Sequence, residues 1–138
     1  MIKSLDVKGS GTFAGAPSFS LAHRFERILF KAVWCLFARW TPPPLRLWRN
    51  LILRAFGAKI HETANVYASA QIWYPRNLTM GPYSTLGPAV HCYCMDQISL
   101  GAYVVVSQRA HLCCGTHDIR KSDFQLMVAP SYIGRDAW

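Results

Sequence analysis

A short polar run near the end of the chain holds the residues best suited to catalysis. Gly115, Thr116, His117 and Asp118 follow one another just after Leu112, where an apolar repeat is interrupted. A neutral imidazole near pH 7 can take a proton from a hydroxyl group and turn that group into a nucleophile. The spacing alone is equally compatible with a surface histidine in a turn that Asp118 caps.

Weaker candidates lie before this run. His91, Tyr93 and Asp96 are polar residues that we expect within reach of a bound substrate. Cysteine and histidine are interspersed in the same region, but no paired C-x₂-C spacing occurs, so we expect no metal. A cysteine nucleophile is disfavoured too, because the adjacent cysteines at 113–114 have no visible basic partner other than His117.

The element that must position these residues is a repeat with a period of six. Slips of two residues interrupt it at 78–80 and 98–100, and a small residue stands four positions after most of its apolar members. The apolar members are Ile60, Val66, Ile72, Met80, Leu86, Cys92, Leu100, Val106, Leu112 and Ile133. A fixed short period is typical of a solenoid, whereas an α-helix has a period of 3.6 and a plain strand one of 2.

A six-residue unit suits a short strand followed by a corner, with the apolar residue and the small residue pointing inward. Three such units make one triangular coil, and the slips indicate one lengthened corner in each coil. Gly81, Gly87, Gly101 and Gly134 follow inward residues, and we expect them to relax the backbone where the chain turns. The pattern resembles the left-handed parallel β-helix of the hexapeptide-repeat acyltransferases, an all-β solenoid. An ordinary β-sandwich with accidental spacing is the alternative.

Positive charge is concentrated before the repeat. The 138-residue chain has a formal net charge of +8, and 51% of its residues are hydrophobic, which excludes a disordered chain. Residues 21–59 carry eight lysines and arginines against Glu26, while acidic and basic residues balance from residue 60 onward. No nucleic-acid-binding motif accompanies these charges, so we expect no nucleic acid as a partner.

The basic segment predicts two amphipathic helices. The first begins at Leu21 and ends before the prolines at 42–44, and the second runs from about Leu45 to Phe56. The helices could form an α-helical cap over the end of the solenoid, which would otherwise be an exposed edge. They could also lie on an anionic membrane surface through residues 21–56, and the two interpretations are compatible.

Cysteine usage and the N-terminus indicate the compartment. The five cysteines are an odd number, and no apolar stretch typical of a secretory signal occurs in the first twenty residues. We therefore expect unpaired thiols and a cytoplasmic protein, peripheral at the inner face of the membrane if the helices bind lipid. The predicted organisation is a flexible arm (1–20), a basic amphipathic helical segment (21–58) and a left-handed β-helix (59–138) with an excursion loop at 118–132.

A resemblance to a known family covers almost the whole chain. It rests on the runs WYPRNL at 73–78, ISLG at 98–101, VSQ at 106–108 and LCCGTHD at 112–118, together with TPPP at 41–44 and FGAKI at 56–60. These runs resemble the acetyltransferases assigned to colanic acid biosynthesis. That group belongs to the sugar O-acetyltransferases, which include galactoside, maltose and nodulation acetyltransferases.

The resemblance implies an activity and roles for residues. His117 would be the general base that deprotonates a sugar hydroxyl, which then attacks the thioester of acetyl-CoA in a ternary complex. Asp118, His91, Tyr93 and Asp96 would lie at the substrate site. Trp138 matches a tryptophan near the acyl-donor channel of the relatives.

The resemblance also implies partners and a place of action. The acceptor would be a sugar or a lipid-linked saccharide in exopolysaccharide assembly, at the cytosolic face of the membrane. A homotrimer is implied, because relatives build each active site between neighbouring subunits.

The chain also departs from the family. Galactoside-type enzymes hold the acceptor with an asparagine, and the aligned position here is Gly87, so we expect a different mode of acceptor binding. The repeat stops in mid-rung at Trp138, whereas relatives continue for several coils, so we expect a C-terminally truncated chain. The alternative function is a non-catalytic or inactive solenoid that acts as a membrane-associated scaffold.

Overall fold

The repeat folds into short parallel strands that stack coil upon coil. The computed structural model describes residues 2–4, 19–120 and 126–138. In chain order the elements are β1 (Lys3–Ser4), α1 (Leu21–Phe37), α2 (Arg46–Ala55), β2 (Lys59–Ile60), β3 (Asn65–Val66), β4 (Gln71–Ile72), β5 (Leu78–Met80), β6 (Thr85–Leu86), β7 (His91–Tyr93), β8 (Ile98–Leu100), β9 (Val105–Val106), β10 (His111–Cys113), β11 (Gly115–His117), β12 (Leu126–Val128) and β13 (Ser131–Ile133).

Within the described residues, three parallel sheets form the walls of the coil. Their strand orders are β13-β8-β5-β2, β3-β6-β9 and β10-β7-β4. Ile60 is in register with Met80, and Met80 with Leu100, so one coil spans 20 residues. The inward residues of the repeat are buried or half-buried, which confirms the predicted β-helix over the alternative of a sandwich.

The lengthened corner lies just before each predicted slip, because residues 78–80 and 98–100 are the strands β5 and β8. A short 3-10 turn at Pro75–Asn77 forms this corner in the first coil. The side-chain amide of Asn77 donates to the carbonyl oxygens of Cys94 and Met95, both at 3.1 Å, in the equivalent corner of the next coil. Successive long corners are therefore tied to one another as well as to their strands.

The predicted reason for the glycines was wrong. Left-handed backbone conformations occur at the corners, but on Tyr83, Ala89, Tyr103 and Arg109 rather than on the glycines of the repeat. A Cβ atom on Gly87 would lie 2.8 Å from the carbonyl oxygen of Val106. Glycine is needed there because the backbone of the next coil passes so closely.

Helix α2 covers the first coil through its polar side chains. Arg54 donates to the carbonyl oxygen of Ile60 at 2.8 Å, Asn50 to that of Ala64 at 2.8 Å, and Arg49 to that of Val66 at 2.7 Å. One coil further on, the corresponding oxygens of Met80, Ser84 and Leu86 accept from backbone N–H groups of the first coil. Side chains of α2 thus take the place of a preceding coil and cap the edge.

Helix α1 contacts the coil along a narrow stripe. Phe30, Trp34 and Ala38 are buried, and the indole of Trp34 donates to the carbonyl oxygen of Ala68 at 3.3 Å. Much of the apolar face predicted from the periodicity points away from the coil instead. Its exposed members, with Trp40 just beyond the helix, are Leu21, Phe25, Ile28, Leu29, Leu36, Phe37 and Trp40.

The excursion from the coil is a β-hairpin. Strand β11 leaves directly after β10 and pairs antiparallel with β12, after which β13 rejoins the wall of β8. The hairpin thus begins at Gly115, before the predicted excursion at 118–132. Strand β1 adds to its other edge, pairing with β12. Most of the predicted arm at 1–20 lies outside the described residues, and its described part at Lys3–Ser4 is a strand.

Candidate active site

His117 lies two residues beyond the root of the hairpin, which is at Gly115. It ends β11, in register with Leu126 of β12, and its side chain is exposed. The exit of the hairpin is closely packed, because a Cβ atom on Gly115 would overlap the side chain of Met95. The imidazole is therefore presented to solvent from a strand that the neighbouring coil holds in place.

Asp118 is buried beside it. One oxygen of its carboxylate, Oδ1, accepts hydrogen bonds from the backbone N–H of Arg120 at 3.1 Å and from its Nε at 3.4 Å. An aspartate that accepts from the N–H two residues further on forms an Asx turn. Asp118 therefore shapes the turn that follows His117.

His91 and Tyr93 lie together on the outer face of the wall formed by β4, β7 and β10. The imidazole of His91 stacks on that of His111, with ring centroids 4.7 Å apart, and Tyr93 meets Trp73 edge-on at 5.3 Å. Burial, and the nearby charge of His111, lower the pKa of His91. His91 is therefore neutral near pH 7, able to donate one hydrogen bond and accept another.

Asp96 lies in the long corner of the same coil. Its Oδ1 accepts from the backbone N–H of Gln97 at 2.8 Å, and its own N–H is 3.0 Å from the sulfur of Cys114. Its other carboxylate oxygen, Oδ2, is buried and has no hydrogen-bond partner among the described residues. A buried polar atom without a partner is uncommon in proteins, because losing water without a replacement is costly.

Trp138 is not brought to these residues within one chain. Ala137, beside it, accepts from the N–H of Val105 and so follows the wall of β3, β6 and β9 rather than the wall that carries His91. The indole is 96% exposed. A common site with His91 would need a second subunit.

The cysteines are unpaired, as predicted. Burial, opposed in part by hydrogen bonds, raises the pKa of Cys114, which therefore remains a thiol near pH 7. Cys92 and Cys94 are buried in the core. Within residues 2–4, 19–120 and 126–138 no cluster of histidine, cysteine and carboxylate side chains could hold a metal ion.

Sequence reasoning missed a second group of residues. Helix α1 brings Arg27 over Trp73, with the guanidinium 4.2 Å from the ring centroid, and His23 against Tyr74 with ring centroids 4.0 Å apart. Burial and the charge of Arg27 lower the pKa of His23, with Glu26 opposing them. The aromatic residues that the coil contributes to this group could have been predicted from the 20-residue repeat. Trp73 and Tyr93 are 20 residues apart and therefore lie next to each other in successive coils.

The parallel walls, the 20-residue coil and the hairpin define a hexapeptide-repeat left-handed β-helix. A hexapeptide-repeat containing acetyltransferase from Vibrio cholerae has this fold: its TM-score to this chain is 0.69 at 15% sequence identity, over 85% of this chain and 66% of that one. No protein-family model matches the chain.

Sequence similarity agrees with the fold. The chain is 38% identical over 110 residues to the protein WcaF of Escherichia coli (strain K12), whose name assigns it provisionally to colanic acid biosynthesis as an acetyltransferase. It is equally similar to the WcaF protein of Shigella flexneri. The match takes in 80% of this chain and 60% of each relative, so the chain spans less than two thirds of their length. The predicted resemblance is confirmed.

Proposed function

We propose that the protein transfers an acetyl group from acetyl-CoA to a hydroxyl group of a sugar, with His117 as the general base. The observation that carries the proposal is an exposed imidazole on a strand that leaves a rigid coil. Functional side chains often occupy such excursions from a fixed scaffold. The names of the similar proteins support acetyl transfer in polysaccharide assembly.

In the proposed reaction the neutral imidazole of His117 accepts the proton of the acceptor hydroxyl. The oxygen attacks the thioester carbonyl carbon of acetyl-CoA, and backbone N–H groups stabilise the resulting oxyanion. The carbon–sulfur bond then breaks, and the imidazolium returns the proton to the coenzyme A sulfur. Asp118 acts as a positioning residue in this scheme, through the turn that it holds with Arg120.

The acceptor in this proposal is a sugar or a lipid-linked saccharide. His91 and Tyr93 would contact it from the outer face of β7, where an imidazole and an aromatic ring stand side by side at 5.8 Å. Asp96 would lie beside them and would shape the long corner by accepting from the backbone N–H of Gln97. Trp138 would line the acyl-donor side of the site of a neighbouring subunit, which requires the homotrimer.

Replacing His117 with alanine in the full-length protein tests the general base. We expect kcat to fall by about 10²–10⁴, because proton transfer by a positioned side chain contributes that much. Transfer from acetyl-CoA to a mixture of monosaccharides and their methyl glycosides would be measured by mass spectrometry. His61→Ala is the matched control. His61 is also an exposed histidine of the β-helix, and its ring contacts Thr63.

The outcomes separate the two classes of function. Retained transfer in His117→Ala would show that another group is the base. Absence of transfer by the folded wild-type protein to these acceptors would favour the non-catalytic scaffold.

We also propose that the protein lies peripherally on the inner face of the membrane through α1. Within its described residues the chain has no helix with the length and apolarity needed to cross a bilayer. The outer face of α1 is nevertheless apolar, with Leu21 77% and Phe25 68% exposed. An exposed apolar helix face flanked by cations is typical of an interfacial helix.

Vesicle flotation tests this contact. Phe25→Asn with Leu36→Asn should abolish flotation with phosphatidylcholine vesicles that contain phosphatidic acid, because the apolar face would be interrupted in two places. Both side chains are exposed, so the fold should persist. Tyr132→Asn, at an exposed aromatic residue on the coil, is the control. A wild-type protein that does not float would contradict the proposal.

A further inference from the structure

A groove runs between α1 and the outer face of β4 and β7. We call it the α1 groove; its volume is about 490 Å³, and it is lined by α1, by residues 70–73 and by His91. Cavities of several hundred Å³ are the usual size of ligand sites. Its floor is apolar, since Phe30, Trp34 and Ile72 are buried in the core beneath it.

One side of the α1 groove is strongly cationic. Arg27, Lys31 and Arg39 line it from α1 and the turn that follows the helix. No carboxylate lines the groove within the described part of the chain. Glu26, the nearby acid of α1, is occupied by hydrogen bonds from Arg76 and from Tyr74.

These cations have few partners in the protein itself. Arg27 lies over the ring of Trp73. None of the three cations forms an ion pair with another residue in the described part of the chain. Clustered cations in a concave site raise the local concentration of anions. On the sheet side, His91 and the exposed Gln71 supply hydrogen-bonding groups.

The α1 groove is continuous with the apolar face of α1. Ile28 lines the groove and is itself 67% exposed, and Leu29 and Leu36 extend the same exposed surface. Cations that border exposed apolar side chains lie at the level of lipid headgroups when a helix rests on a membrane. The ligand that matches both features is an anion with an apolar part.

We propose that the α1 groove binds the phosphate headgroup of a membrane lipid, with Lys31 and Arg39 pairing with the phosphate and Trp73 holding Arg27 beside it. This inference rests on the proposed membrane contact and adds a defined headgroup site to it. The role of His117 in acetyl transfer does not rest on this inference, although His91 lines the groove and is also assigned to the acceptor site.

Flotation with two types of vesicle tests the site. Wild-type protein should bind phosphatidylcholine vesicles containing phosphatidic acid much more tightly than phosphatidylcholine alone. Replacing Lys31 and Arg39 together with glutamine should weaken binding to the acidic vesicles about tenfold or more, since each cation near an anionic surface contributes about 1 kcal/mol and 1.4 kcal/mol is tenfold. Lys59→Gln with Arg109→Gln, two exposed cations outside the groove, removes the same charge.

The vesicle outcomes are distinct. Equal losses in the two double variants would mean diffuse electrostatic attraction and would overturn the site. Equal wild-type binding to both kinds of vesicle would leave the apolar membrane contact standing and would overturn the headgroup site. No binding to either kind would overturn both proposals, while the His117 experiment would still stand by itself.

A chemical readout locates the ligand. Cys35 lines the α1 groove and is exposed, and Cys113 is exposed elsewhere on the coil. Monomeric short-chain phosphatidic acid should slow alkylation of Cys35 and leave Cys113 unchanged, and short-chain phosphatidylcholine should slow neither. Equal rates for Cys35 with and without phosphatidic acid would contradict the proposal.

Discussion

The two N-terminal helices both carry arginine or lysine side chains, but those side chains have different surroundings. On α2, Arg49 is buried, and it donates to the carbonyl oxygens of Val66, Pro42 and Pro43. On α1, Lys31 is exposed and borders a groove instead. The cations of α2 therefore stabilise the coil, while those of α1 are available to a ligand.

The difference shows why the charge of a segment does not reveal its role. In the sequence the two helices contribute alike to one basic segment. The distinguishing observation is what each guanidinium or ammonium group contacts. A charge that is satisfied by backbone oxygens is structural, and one without a protein partner is a candidate for binding.

The largest expected effect is on the cap. Arg49→Met should lower the free energy of unfolding by about 3 kcal/mol, because buried carbonyl oxygens would lose their donors. Burial lowers the pKa of Arg49, yet an arginine remains charged at any pH at which the protein is folded. Urea denaturation followed by circular dichroism would measure the change.

The control for Arg49 is the same substitution at Arg24, an exposed residue of α1. A loss of stability in Arg24→Met as large as in Arg49→Met would erase the contrast between the helices. An unfolded Arg49→Met protein would agree with the expected direction, and Arg49→Lys, which keeps one donor group, should then recover part of the fold.

A smaller effect is expected at the edge of the cap. Arg54 is exposed but donates from Nε to the carbonyl oxygen of Ile60 at 2.8 Å. Arg54→Met should reduce the free energy of unfolding by about 1 kcal/mol, the usual net value of one hydrogen bond. Denaturation midpoints would show it, and a change as large as that of Arg49→Met would mean that Arg54 has a further structural role.

Removal of a groove cation should hardly affect stability. Lys31→Met should change the free energy of unfolding by less than about 0.5 kcal/mol, as is usual for surface substitutions. The same denaturation experiment applies. A clear destabilisation would show that Lys31 supports the fold, and would weaken its assignment to a ligand.

The smallest effect concerns the attachment of α1 to the coil. Burial alone would raise the pKa of Glu26, but hydrogen bonds from Arg76 and Tyr74 bring it below its ordinary value of 4.5. The ionised carboxylate therefore adds stability above pH 4.5, and this contribution is lost as the pH falls through the lowered pKa.

Glu26→Gln should accordingly be slightly less stable than wild type near pH 7, and the two proteins should converge in acid. Melting temperatures across that range would measure the difference. A gap that widens toward acid would contradict the sign. Gln108→Glu, at an exposed position outside the α1 groove, would show the response of stability to an added surface carboxylate.

The walls of the coil could be predicted because each inward residue meets its equivalent in the next coil. Ile60, Met80 and Leu100 must all be apolar because they occupy the same inward position in successive coils. The same requirement therefore recurs every 20 residues and is visible in a single sequence. The explanation for Gly87 could not be predicted. A glycine required by a passing backbone and one required by a turn look identical in sequence.

The candidate site was predictable in part. His117 stood out because the repeat breaks beside it, but its exposure depends on a hairpin whose pairing partner lies beyond the local sequence. The apolar face of α1 was identified, whereas the periodicity could not show that Phe30 and Trp34 would pack and that Phe25 would remain outside. Helical periodicity defines a face, and tertiary contacts decide what that face meets.

The cap has a consequence for how such a molecule can change during evolution. Within the solenoid, the hydrogen bonds that the described structure gives Arg49, Asn50 and Arg54 all go to the first coil. In a linear stack each coil is stabilised by its immediate neighbours. Duplication or deletion of a 20-residue unit further along would therefore leave the cap intact, so the length of the solenoid can vary by whole coils while α1 and α2 keep their places.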